Sequence, residues 1–159
     1  MVEKQILPIN CGNVRVQFIK NKNLNREATQ TINVPTGSLV VSTPETTAME
    51  LVMYQKQAGG LSHIATVLTE LLEAIDGTRL LELARKSLTI AWVQRLGYLL
   101  ALTEPENIEK RNGIIVLLRK YIETKVPQAI PLNPNIPMAG FPRNKDWNVA
   151  INTEVESDI

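Results

Sequence analysis

One imidazole and one thiol, His63 and Cys11, are the only histidine and cysteine in the chain. A zinc site with so few nitrogen and sulfur donors would need a shell made mostly of carboxylates. The HExxH spacing, which puts two imidazoles on one helix face, is absent. Ser62 and His63 are neighbours whose side chains diverge, so His63 reads as a structural or surface residue. A thiol becomes nucleophilic when a base or cation draws it toward the thiolate. Cys11 sits among turn residues and reads as a small side chain. Glu70, Glu73 and Asp76 recur every three residues, and such oxygen donors suit Mg²⁺. That stripe supports one alternative, a metal-dependent enzyme. Arg79, Arg85 and Lys86 follow closely, and a solvated face with local ion pairs explains the same residues more simply. Gly59-Gly60 precede an amphipathic run, where a helix N-terminus can hold phosphate. Neither phosphate-binding glycine motif, GxxxxGK[ST] or GxGxxG, is present, so the pair reads as a helix end and a corner. The chain is expected to be no enzyme and to need no cofactor.

What remains is the distribution of charge. Formal net charge is only +1, so the molecule as a whole is no polycation. Lys4, Arg15, Lys20, Lys22 and Arg26 nevertheless precede the second acid, Glu27. Arg15 and Gln17 share one face of a strand pattern, and Lys20, Lys22 and Arg26 fall in the adjoining loop. Such a surface can meet a nucleic-acid backbone or an acidic partner. Arg143 and Lys145, in a second polar stretch, are further candidate contacts. Beyond them the chain is acidic, with Asp146, Glu154, Glu156 and Asp158.

The elements that carry these residues follow from periodicity. Val14, Val16 and Phe18 alternate with Arg15, Gln17 and Ile19, the pattern of a strand with one inward face. Asn10, Gly12 and Asn13 precede it as turn residues. Thr29 to Val34 gives a second strand, Pro35-Thr36-Gly37 a turn, and Leu39-Val40-Val41 a third strand. Ser42 and Glu45 have capping-box spacing around Pro44, which predicts a helix over 43–57. Leu61, Ile64, Ala65, Leu68, Leu72 and Ile75 mark a helix over 61–75, ended by Asp76-Gly77. A shorter one covers 78–86. A helix capped by Ser87 runs on to Leu100; it is apolar over most of its circumference and is expected at the centre. Gly97 within it implies the close approach of a neighbouring backbone. Pro105 starts the last helix, which has acids near its start and Arg119, Lys120 and Lys125 near its end. Prolines 127, 131, 134, 137 and 142 then impose an extended arm. Trp147, Val149 and Ile151 alternate as a closing strand, expected to pair with the N-terminal ones.

Segregated strands and helices make this an α+β chain. It has N-terminal antiparallel strands (1–41), a central bundle of four to five helices (43–125), and an extended arm with a final strand (126–159). A length of 159 residues fits one domain, and 4% aromatics leaves a core of aliphatic side chains. A single cysteine excludes an intramolecular disulfide. The N-terminus lacks a signal pattern, and no apolar run reaches the roughly 18 residues of a membrane helix, so a cytoplasmic protein without a membrane partner is expected.

Several segments resemble a known family. Ser42-Thr43-Pro44-Glu45-Thr46-Thr47-Ala48-Met49-Glu50-Leu51-Val52 is similar to the TPE-x-TALDLV segment of AbiEi-type antitoxins. Gly59-Gly60-Leu61, Ile64 to Leu68, and Gln94-Arg95-Leu96-Gly97-Tyr98-Leu99-Leu100 follow in the family's order, and Trp147 to Glu156 resembles its last strand. The resemblance spans roughly residues 12 to 158. It implies the C-terminal domain of an antitoxin that neutralises a nucleotidyltransferase toxin in a toxin–antitoxin, or abortive-infection, system and supports transcriptional autoregulation. Family members carry an N-terminal winged helix that binds operator DNA. None precedes residue 12, so operator DNA is an expected partner only where such a domain is attached. A stand-alone protein-interaction module is the other alternative.

Overall fold

Glycine and proline shape the beginning of the chain. Ile9–Cys11 (β1) folds back on Val14–Val16 (β2), antiparallel, with Ile9 opposite Val16 and Cys11 opposite Val14. Gly12 supplies the positive φ, 58°, that the two-residue turn requires. Thr29–Val34 (β3) pairs with Gly37–Ser42 (β4) across Pro35 and Thr36. The first strand is shorter than its alternation predicts: it stops at Val16, and Asn10 belongs to β1, not to the turn. Val14 and Val16, expected to face inward, are exposed, because a two-stranded ribbon has no interior of its own.

The computed structural model describes residues 6–19 and 28–156, and the chain divides into two units, 1–41 and 42–159. The hairpins form the first. The second begins with helix α1, Pro44–Met53. Its cap is Thr43, whose hydroxyl accepts from the Thr46 amide at 3.3 Å, not the predicted Ser42–Glu45 box. Ser42 instead donates to Glu50, and Glu45 accepts from the Asp76 amide at 2.8 Å, tying the start of α1 to a later corner. Leu61–Leu71 (α2) follows, then Gly77–Lys86 (α3), Ala91–Leu102 (α4) and Ile108–Glu123 (α5). α2 ends before Ile75, although Leu72 and Ile75 stay buried, so the apolar period outlasts the helix. α4 starts after Ile90: Ser87 ends α3 and does not cap α4. α5 is capped by Asn107 and begins at Ile108, three residues inside the predicted start at Pro105.

α4 occupies the centre, as its all-round apolarity predicts. Trp92, Val93, Gln94, Leu96, Gly97, Tyr98, Leu99 and Leu100 are all buried. Around it lie Ala48 and Val52 of α1, Ile64 and Leu68 of α2, Leu80 of α3, and Leu118 and Ile122 of α5. The arm closes over this bundle. Ile130–Pro131 (β5) and Arg143–Asn144 (β6) flank Val149–Ala150 (β7), which pairs parallel with β5 and antiparallel with β6. Both edges of β7 are thus taken within the second unit, which corrects the expected pairing with the N-terminal strands. The strand is also only two residues long. Asn148, at φ 54°, breaks the expected alternation, and Val149 and Ala150 are both buried.

Gly97 explains where the arm sits. A Cβ there would lie 2.2 Å from the ring of Trp147, so α4 offers a notch and the indole fills it. The close neighbour is a side chain, not the backbone expected from sequence. One turn earlier, the Gln94 amide donates to the carbonyls of Gln128 and Trp147, both at 2.9 Å. Arg95 Nε donates to the Pro131 carbonyl and Gln55 Nε2 to that of Leu132, each at 3.0 Å. Strands too short to satisfy themselves are thus held by side chains of α4 and of the segment after α1.

Gly97→Ala gains about 1 kcal/mol of helix propensity but forces Trp147 outward, and overpacking costs about 1–3 kcal/mol. A net loss is expected in denaturant titration. In a Trp147→Ala background, itself costing about 3–5 kcal/mol, the same substitution should turn neutral or stabilising. Equal effects in both backgrounds would show that the ring and the helix are not coupled.

Candidate functional site

Arg15 lies at the middle of β2, opposite Asn10, and is exposed. Lys20, Lys22 and Arg26, the other residues singled out in that basic block, lie outside the described residues. The described residues of the hairpins also present aliphatic side chains: Leu7, Ile9, Val14, Leu39 and Val40 are exposed.

Arg143 and Lys145 belong to the second unit. Arg143 stands in β6 opposite Ala150, and Lys145 follows in the turn to β7; both are exposed. Lys145 lines a depression of about 260 Å³ with Arg119, Glu123, Pro127, Asp146 and Asn148. Arg119 pairs there with Asp146 and, at 3.7 Å, with Glu123. The charges in this depression are mixed, and one cation engages both acids.

Two helix ends carry a larger group of cations. Gly77 at the start of α3 packs against Ile114 and Leu117 of α5, and the Tyr121 hydroxyl of α5 donates to the Ala84 carbonyl of α3 at 2.8 Å. Contacts that advance along both chains together mean that α3 and α5 run parallel. Their last turns therefore lie side by side, and with them Arg85 and Lys86 of α3, Lys120 of α5, and Lys125 just after it. The Lys125 ammonium sits 5.4 Å from the centre of the Tyr121 ring, which holds it in a cation–π contact. At sequence level these residues read as cations that offset a helix dipole. The parallel packing that joins them was not legible there, because no spacing along the chain encodes it.

The opposite ends gather acids. Glu73, Glu106, Asn107, Ile108 and Glu109 line one depression. Beside it runs a groove of about 670 Å³ between the start of α3 and the middle of α5, floored by Gly77, Gly113, Ile114 and Leu117. Asp76 borders this groove, and its carboxylate accepts from the amides of Thr78 at 2.8 Å and Arg79 at 3.0 Å. Lys110 Nζ reaches the Glu73 carbonyl across the boundary of the two depressions. The metal stripe considered from sequence does not assemble. Asp76 caps a helix while Glu73 faces the neighbouring depression, and no group of three or more His, Cys, Asp or Glu converges among the described residues. Cys11 is exposed and unbridged. The His63 ring lies against Gly59, where a Cβ would meet it at 3.0 Å. Gly59 and Gly60, at φ 86° and 92°, form the corner into α2.

Four ionisations are perturbed among the described residues of the second unit, one of them the Tyr98 hydroxyl, which burial raises. The Arg79 amide, with that of Thr78 and the Arg79 and Lys110 cations, holds the Asp76 carboxyl below its ordinary value. Burial raises the Glu50 carboxyl, against the lowering effect of the Ser42 hydrogen bond. Burial also lowers the Arg95 guanidinium, whose Nε is committed to the arm.

A family model described as the AbiEi antitoxin C-terminal domain matches residues 1–102, both hairpins and α1 to α4. α5 and the arm lie beyond the matched stretch. No curated protein and no solved structure matches the chain.

A carboxylate with a depressed native pKa adds stability above its unfolded value, about 3.9 for Asp, and loses it as pH falls through the native one. Asp76→Asn keeps an acceptor at the cap but removes the titration. The stability advantage of the native chain over D76N, read as a denaturation midpoint, should therefore shrink as pH drops from about 5 toward 2. A pH-independent difference would refute this assignment.

Proposed function

The chain belongs to the AbiEi antitoxin C-terminal domain family, and we propose that it antagonises a nucleotidyltransferase toxin encoded beside it and supports transcriptional autoregulation without catalysing a reaction. The observation that carries this reading is the family match over 102 residues, spanning both hairpins and the helical core as far as Leu102. The charge pattern fits it. The first unit holds five cations and two acids, whereas the second holds more acids than cations. Arg15, exposed in β2, suits contact with phosphates or with an acidic toxin surface. Lys20, Lys22 and Arg26 follow it in sequence as further proposed contacts, with Arg143 and Lys145 as secondary ones. Where a winged helix is attached, operator DNA becomes a further partner, and the domain strengthens its repression. The expected compartment is the cytoplasm, where toxin and operator would be met; no helix among the described residues is long and apolar enough to cross a membrane.

The exposed aliphatics of the hairpins, Leu7, Val14, Leu39 and Val40, favour one second reading, a protein-interaction module without a toxin. Co-expression with the neighbouring toxin separates the two. The chain should restore growth of poisoned cells, and the fourfold variant R15E/K20E/K22E/R26E should lose that rescue while its circular dichroism stays unchanged. Binding to an operator duplex should weaken by about tenfold or more in the same variant. Rescue by neither protein favours the interaction module; full rescue and unchanged binding by the variant removes these four cations from the mechanism.

A further inference from the structure

The C-terminal ends of α3 and α5 carry more than charge. Leu88, 98% exposed, and Val126, 87% exposed, are the most exposed large apolar side chains of the second unit among the described residues. Each follows the cations of one helix end: Arg85 and Lys86 precede Leu88, and Lys125 precedes Val126. The Tyr121–Ala84 hydrogen bond brings the two ends together. The loop that presents Leu88 is fixed. The Ser87 hydroxyl accepts from Trp92 Nε1 at 3.0 Å and donates to the Thr89 carbonyl at 3.1 Å. Val126 adopts φ 47°, a left-handed conformation unfavourable for a β-branched residue, and it precedes a proline. No burial of its own side chain offsets that strain. Two aliphatic knobs thus stand out from a basic collar.

The same unit carries the complementary shape. The groove at the other ends of these helices is floored by Gly77, Gly113, Ile114 and Leu117, and Gly113 faces open space. Glu73, Asp76, Glu106 and Glu109 border the groove and the depression beside it, with Lys110 the one cation among the residues lining the two. Asp76 and Lys110 offset one another at the edge of the groove, while Glu73, Glu106 and Glu109 make the depression beside it acidic. Apolar knobs thus have Ile114 and Leu117 to meet, and a basic collar has the neighbouring acids.

We propose that Leu88 and Val126 of one copy dock in the Gly77–Gly113 groove of a second, with Arg85 and Lys125 against its Glu106 and Glu109, in a head-to-tail contact. The interface is heterologous, so each copy keeps one knob face and one groove for further copies. Charge at its edge makes the association weaken with salt. It does not depend on the antitoxin reading, since it uses none of Arg15, Lys20, Lys22 and Arg26.

Light scattering on the full chain tests the contact. The native protein should show a mass that rises with concentration above the 17.7 kDa monomer and falls as salt is added. L88S/V126G, which removes the knobs and relieves the strain at 126, should stay monomeric with an unchanged or higher melting temperature. G113W, which fills the groove where a side chain meets nothing, should also stay monomeric and folded. An equimolar mixture of the two variants should form a capped dimer, because one retains the groove and the other the knobs. A native chain that is monomeric at every concentration overturns the proposal, and so does a mixture that fails to associate. Binding of a monomeric native chain through the knob face to phosphatidylserine/phosphatidylcholine vesicles, or to duplex DNA, would assign the face to that anion instead.

Discussion

The seating of the Trp147 ring in the notch left by Gly97 is the contact on which the second unit depends. An indole is the largest apolar side chain available, and burying it gives the irregular arm a share of the core. The arm has little else to hold it: its strands are two residues long, and its prolines forbid regular helix. Once the ring is seated, the neighbouring carbonyls fall within reach of Gln94, Arg95 and Gln55. A buried backbone carbonyl left without a donor is costly, and these side chains supply the donors that a longer sheet would provide. Gln94 and Gly97 lie one turn apart on α4, so one helix face provides both the cavity and the hydrogen bonds. Asn152 plays the same part further along, accepting from the Asn133 amide and donating to the carbonyls of Asn133 and Ile136.

The second consequence is electrostatic. Cations near helix C-termini and acids near N-termini are locally favourable because they offset the dipole. In a pair of antiparallel helices such charges would alternate around the fold. α3 and α5 run parallel, so Asp76, Glu106 and Glu109 gather at one end of the pair, with Arg79 and Lys110 among them. Arg85, Lys86, Lys120 and Lys125 gather at the other. The overall net charge of +1 conceals this separation. Tyr121 stands at the basic end, bonded to the Ala84 carbonyl and covered by Lys125. Leu88 and Val126 project from the same region, so its chemistry is not that of a merely solvated surface.

Much of the architecture was legible along the chain, and the failures have local causes. Five amphipathic or apolar helices, the turns at Gly12 and Pro35, and the extended arm all follow from period and breaker residues. Helix ends were less accurate, because several candidate caps stood close together. Ser42 and Thr43 both precede Pro44, and only Thr43 caps α1, since Ser42 is engaged by Glu50. Ser87 looked like the start of α4 but holds the loop before it. Leu72 and Ile75 continue the period of α2 beyond its last hydrogen-bonded turn, because a buried turn needs apolar residues as much as a helix does. The candidate site was less legible still. Arg15 is exposed, but so are Val14 and Val16 on the opposite face, so the alternation does not single it out. Arg143 and Lys145 stand beside a depression of mixed charge that no sequence spacing announces.

By itself the sequence determined the class of the fold and the resemblance to the AbiEi antitoxin family, because hydrophobic period, turn residues and family segments are local properties of the chain. It also marked Gly97 as a place of close approach, since glycine within a buried helix is costly without a neighbour to admit. Only the tertiary structure decided that this neighbour is Trp147, that β7 lies between β5 and β6, and that α3 and α5 lie parallel. Those facts join residues tens of positions apart. Short strands carry too few residues to encode their partners, and the direction in which one helix packs on another leaves no trace in the period of either.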